Sequence, residues 1–189
     1  NKNFKNVEFV IVDGTLEISK RTVTLTSADD EKVYDGTALT NSTVTAGGDG
    51  FAEGEGATYD VTGTITEVGE TANAFTYTLN EGTKADNYTI TKVEGTLTVT
   101  ELTDKVTVTI TEKSGSEKYD GKEKTVAGYD VKISNELYTV DDFTFSGEAT
   151  VKGTDAGSYN MELKPADFTN TNKNFKNVEF VIVDGTLEI

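Results

Sequence analysis

Residues 1–18 read NKNFKNVEFVIVDGTLEI, and residues 172–189 repeat that stretch without a mismatch, at an offset of 171 residues. The second copy sets an apolar run, Phe180 to Val183, ahead of Asp184-Gly185, and alternating Leu187 and Ile189 after it. Alternation is the mark of a strand with one dry face, and Asp-Gly between two such runs is the favoured hairpin dipeptide. The stretch therefore predicts a terminal β-hairpin turning at Asp184 and Gly185, and in the first copy at Asp13 and Gly14.

The same marker recurs as ITKVEGTLTVT, which predicts a turn at Glu94 and Gly95. A second marker, Tyr-Asp-Gly, occurs as Tyr34, Asp35, Gly36 and again as Tyr119, Asp120, Gly121, 85 residues later. Each follows a strictly alternating stretch, RTVTLTS at 21–27 and KVTVTIT at 105–111. A repeat of this length divides the chain into a unit A at 19–100 and a unit B at 101–189. Residues 1–18 are then the tail of a preceding B-type unit, and the chain is expected to be a slice of a longer array.

In Tyr-Asp-Gly, glycine suits the positive φ of a tight turn, aspartate suits bonding to the turn's own amides, and tyrosine is expected to cap the core. Because the motif recurs once per unit, it reads as a structural turn rather than a ligand contact. The units differ most at AGGDGFAEGEG, 46–56, expected to be a loose loop, and at ISNELYTVDD, 133–142. Any unit-specific binding is expected in those loops.

Composition narrows the function. The 33 acidic residues outweigh 17 Lys and Arg, a net charge of −16. That excess argues against nucleic acid or an anionic membrane as partner. With no Cys and no His, zinc sites, thiol nucleophiles and histidine acid–base chemistry are excluded. No apolar run approaches the ~20 residues of a membrane helix. The acidic clusters lack the spacing of a calcium loop, so neither a metal nor a cofactor nor a catalytic residue is expected. The 33 Thr, with Val, Ile, Tyr and Phe, favour strands, and no window carries a helical period.

Tyr-Asp-Gly near the start of a unit, followed by ADNYTITKVEGTLTVT at its end, resembles the YDG/MBG-type repeat domains of large bacterial surface and secreted proteins. Unit B departs from the pattern, with Phe175 for the tyrosine and a longer insert. The resemblance implies a cell-surface stalk or adhesin location, cell-wall-attached and extracellular as in Gram-positive bacteria, and carries over no catalytic residue. The expectation is an all-β chain of two tandem small β-sandwich-like (Ig-like) domains in an elongated arrangement, with a β-grasp unit as the alternative. Its function is expected to be a non-enzymatic stalk that spaces or presents a distal adhesive or enzymatic domain. The alternative is a module that binds carbohydrate or a host surface protein through its variable loops. Residues 1–18, a hairpin without its sheet, are expected to self-associate or to pack onto the start of unit A.

Overall fold

The computed structural model describes residues 2–189 and is all-β. In unit A the alternation of RTVTLTS forms β1 (Arg21–Ser27), with Val23 and Leu25 buried and Thr24 and Thr26 half-buried. It is followed by β2 (Asp30–Val33), β3 (Val44–Gly48), β4 (Ala57–Val61), β5 (Gly69–Ala72), β6 (Phe75–Leu79), β7 (Tyr88–Val93) and β8 (Thr96–Thr100). Unit B runs β9 (Val106–Glu112), β10 (Gly115–Ser116), β11 (Lys124–Ala127), β12 (Tyr129–Ile133), β13 (Phe143–Phe145), β14 (Thr150–Gly153), β15 (Ser158–Asn160), β16 (Phe168–Asn170), β17 (Val178–Val183) and β18 (Thr186–Glu188). The only helices among the described residues are single 3₁₀ turns at Ala85–Asn87, Val140–Asp142 and Pro165–Asp167.

The two units share a frame. In unit A one sheet is ordered β3-β1-β7 and a second β2-β8-β5; in unit B they are β12-β9-β17 and β10-β18-β15. The first strand of each unit lies parallel to its last long strand. Arg21–Thr26 register with Tyr88–Val93, and Val106–Thr111 with Val178–Val183. Beyond these, β2 runs parallel to β8, and β10 to β18. First and last segments thus travel together through one sheet and into the other.

This corrects the hairpin reading of Glu94-Gly95 and Asp184-Gly185. The strands flanking each dipeptide never pair with one another; the chain runs straight on and changes sheet. Neither glycine has the positive φ that a type I′ hairpin turn demands. Glycine is required instead by close approach. A Cβ on Gly95 would lie 2.5 Å from the Ser27 carbonyl oxygen, and one on Gly185 2.7 Å from that of Glu112. At each crossing the glycine N–H donates to a buried side chain, Gly95 to Ser27 Oγ at 2.9 Å and Gly185 to Glu112 Oε2 at 2.8 Å. The other Glu112 oxygen accepts the Leu163 N–H at 2.7 Å, so the buried carboxylate is held by two backbone amides.

Asp13-Gly14 is no hairpin either. Residues 6–20 carry no strand or turn, and every residue from 2 to 20 is exposed; residue 1 lies outside the described residues. The first copy does not pack onto unit A as a strand. Phe9, Val10, Ile11 and Val12 are all open to solvent.

Each unit buries its own side chains. Unit B has one cluster around Val106, Val108, Ile110, Phe168 and Leu187. Unit A has two, around Val23, Leu25, Phe75 and Tyr88, and around Leu39, Leu97 and Val99. The accessible surface is 12659 Å², against about 8,800 Å² for a compact monomer of this mass. The excess is that of a chain with separate small cores and an exposed terminal stretch.

Candidate functional site: the junction between the units

The two Tyr-Asp-Gly sites fold alike. Gly36 and Gly121 hold φ of 77° and 75°, the left-handed region that glycine enters without cost. Asp35 Oδ1 accepts the Thr37 N–H at 2.8 Å, and Asp120 Oδ1 the Lys122 N–H at 3.0 Å, each two residues on. A lysine clasps each carboxylate, Lys32 to Asp35 at 2.7 Å and Lys124 to Asp120 at 2.9 Å. Those lysine bonds are the largest of the influences that lower both aspartate pKa values, with the turn hydroxyl and amide of Thr37 and the amide of Lys122 adding to them.

The tyrosines differ. Tyr34 packs on Leu39, Leu97 and Val99 of its own unit and also on the core of unit B. Its ring meets Phe175 edge-on, with centroids 5.6 Å apart at 74°, and Phe175 in turn stands edge-on to Tyr138 at 5.0 Å. Burial pushes the Tyr34 phenol pKa up, with Glu67 and Asp142 adding to it. Tyr119, expected to cap a core, is instead 61% exposed; nothing among the described residues covers it as Phe175 covers Tyr34.

Around Tyr34 the units are stitched by backbone and amide groups. The linker residue Leu102 donates its N–H to the Asn174 carbonyl at 2.8 Å and accepts the Lys176 N–H at 3.0 Å, forming a parallel bridge with Phe175. Asn174 is buried; its Oδ1 accepts the Val68 N–H at 2.8 Å, and its Nδ2 donates to Glu67. Leu137 sits over Gly36, where a Cβ would come within 2.9 Å of it.

The receiving surface is a loop that only unit B has. Strand register pairs Tyr88 with Arg21 and Val178 with Val106, which makes Val178 the counterpart of Tyr88. Asn174 and Phe175 therefore lie in an insertion between β16 and β17, not at the Asn87-Tyr88 position that sequence similarity suggested. The surplus length of unit B was visible in the sequence, but nothing local marked it as an interface.

The two variable loops are more ordered than their composition suggests. Ala46, Gly47 and Gly48 belong to β3, and Arg21 Nε donates to the Gly50 carbonyl at 2.9 Å. Asp49 Oδ2 accepts the Thr22 N–H at 2.8 Å, and the Ala52 N–H reaches the Tyr88 hydroxyl at 3.0 Å. The second loop gives Tyr138 to the core beside Phe175, and its 3₁₀ turn is closed by a Thr139–Asp142 capping box. Among the described residues no three acidic side chains converge as metal ligands, and no helix is long and apolar enough to cross a membrane.

Residues 105–189 match the MBG domain family. Unit B is an MBG domain. The match begins one residue before β9 and ends with the chain, so it takes in the whole parallel frame of that unit and the loop that receives Tyr34. MBG domains are found in surface and adhesin-like proteins, and such a domain is compatible with a structural or a binding module. No curated protein and no solved structure matches the chain.

Proposed function

We propose that this chain is a mechanical spacer within a wall-attached, extracellular surface protein, holding a distal adhesive or enzymatic domain away from the cell. The observation that carries the reading is the parallel pairing of first and last strands in each MBG-like unit. Tension on the two chain ends pulls β1 and β7 in opposite directions along their length. Six register pairs in that ladder, and four more between β2 and β8, then carry load together. Antiparallel terminal strands would instead unzip one bond at a time. Unit B repeats the device with six register pairs between β9 and β17. The Tyr34–Phe175 contact and the short linker through Leu102 oppose bending between the units.

Single-molecule pulling tests this. Traction on the ends should give two separate unfolding steps, each on the order of 250 Å for about 80 residues at roughly 3.3–3.6 Å each. A second attachment, through a cysteine in β12 and the C-terminus, loads unit B in another direction and should lower its unfolding force several-fold. Equal forces in the two geometries would refute the spacer reading. A specific hit on a glycan array would favour the binding module instead.

A further inference from the structure

The edge strands differ in how they are guarded. β2 carries Asp30, Glu31 and Lys32, β3 ends in Gly47 and Gly48, and β12 exposes Asp130 and Lys132. In unit A the last long strand, β7, holds Lys92, whose Nζ reaches across to the Phe75 carbonyl at 3.0 Å and to Glu94 at 2.7 Å. Charged side chains on an edge keep another strand from pairing there. In β17 the register counterpart of Lys92 is Ile182, and Phe180 to Val183 is an unbroken apolar run.

The backbone of β17 is open on the same side. The Val106 N–H donates to the Asn177 carbonyl at 2.8 Å, and along a ladder successive residues turn their backbone groups to alternate sides. Glu179, Val181 and Val183 therefore aim theirs at β9, and Val178, Phe180 and Ile182 aim theirs away. Among the described residues β9 is the only strand that pairs with β17. The nearby 3₁₀ turn at Pro165–Asp167 bonds to Lys164, Phe168 and Ser146 instead. The side chains record the same opening. Val178, Phe180 and Ile182 face the core yet are only half-buried, whereas Val106, Val108 and Ile110 on β9 are fully buried.

We propose that β17 is a docking edge for the β17 of a second copy of this chain, the two strands running antiparallel about a two-fold axis at Phe180. In that register Phe180 faces Phe180 of the second copy, and Val178 faces its Ile182. Each such pair exchanges two hydrogen bonds, so every outward N–H and C=O of both strands is satisfied; any other antiparallel register leaves some unpaired. The ends match in charge. Lys176, before the strand, comes alongside Asp184, after it, on both sides of the axis, and both residues are exposed. Opposite charges facing across strands are favourable, whereas parallel pairing would set lysine beside lysine. The half-open sides of Val178, Phe180 and Ile182 close against their counterparts. The edge lies wholly within the MBG domain, and the contact is isologous, so it closes as a dimer.

The absence of cysteine allows a test of register in the full-length chain. Glu179 and Val181 would face each other across the seam with Cα atoms about 4.5 Å apart, within reach of a disulfide. Oxidising an equal mixture of Glu179→Cys and Val181→Cys should link dimers several-fold faster than oxidising either variant alone. Sedimentation equilibrium at physiological salt, from micromolar to millimolar protein, should show the parent dimerising. Ile182→Lys, which copies the residue unit A holds at that place, should weaken the dimer more than about tenfold. If that change unfolds unit B, Asp184→Lys takes its place: it sets like charges against Lys176 and should weaken the dimer several-fold, and adding Lys176→Asp should restore it. Ile11→Lys, the same change in the copy of this stretch at residues 1–18, should leave the dimer intact. A monomeric parent, a dimer that answers to Ile11→Lys but not to Ile182→Lys or Asp184→Lys, or equal linkage by either cysteine variant alone would each overturn the proposal.

Discussion

Replacing Gly185 with alanine, and separately Gly14 with alanine, puts the same change into the same eighteen-residue sequence at two places. At Gly185 the new methyl would stand 2.7 Å from the Glu112 carbonyl oxygen and 2.8 Å from its carbon, distances that real Cβ atoms do not hold. The strands must separate there, and such overpacking costs about 1–3 kcal/mol. The same movement stretches the 2.8 Å bond from the Gly185 N–H to the buried Glu112 carboxylate, a hydrogen bond to a charged group worth roughly 1.5–3 kcal/mol. Together these predict a loss of about 2.5–6 kcal/mol in unit B. For a unit of this size, each kcal/mol moves the melting temperature by roughly 4–8 °C, a drop on the order of 10–50 °C. Gly14 meets nothing, so its alanine variant should stay within about 0.5 kcal/mol of the parent. Calorimetry or urea unfolding of the two single variants reads the contrast. Equal effects, or a Gly185→Ala loss below about 1 kcal/mol, would refute the crossing geometry.

Glu112→Ala leaves the Leu163 and Gly185 amides buried without an acceptor, at roughly 1–3 kcal/mol each; urea unfolding should show unit B destabilised and unit A unchanged, and a neutral outcome would count against the buried carboxylate. Burial pushes the Tyr138 phenol up to about 12, with Asp142 adding to the shift. Its contribution to stability is complete below the unfolded phenol value near 10 and is lost as pH rises through that raised value. Subtracting the phenolate absorbance of Tyr138→Phe should leave one group titrating near 12, and a midpoint near 10 would contradict the packing. Asp35 is held well below the usual carboxylate range, chiefly by Lys32 and then by Thr37. Its contribution is present above the ordinary aspartate value of about 4 and is lost as pH falls below it. Carbon NMR should find the Asp35 carboxylate still ionised at about pH 3, and Lys32→Met should raise its titration; an unmoved titration would show that Lys32 does not hold it.

The all-β class was legible because Val23 and Leu25, and Val106, Val108 and Ile110, announce a strand with one dry face through alternation alone. Topology was not. Glu-Gly and Asp-Gly serve both a hairpin and a crossing between sheets, and only the partner strand decides which. That partner is β1 for β7, more than 60 residues away, and parallel pairing over such a distance leaves no local trace. The junction was half legible. The recurrence of Tyr-Asp-Gly marked the turn, whose φ and aspartate bonding agree in both units. Its partner surface, Asn174 and Phe175, lay hidden in an insertion. Loop 46–56 misled because glycine content signals freedom, whereas Arg21, Thr22 and Tyr88 reach in from β1 and β7 and tie it down.

The spacer account rests on the two units keeping one mutual arrangement. Spin labels on cysteines replacing Thr76 in β6 and Thr144 in β13, both exposed, report it through the distribution of distances between them. The account predicts one narrow peak for the parent sequence, and a broad distribution once Tyr34→Ala removes the ring seated against Phe175. A parent distribution as broad as that of the variant would contradict it.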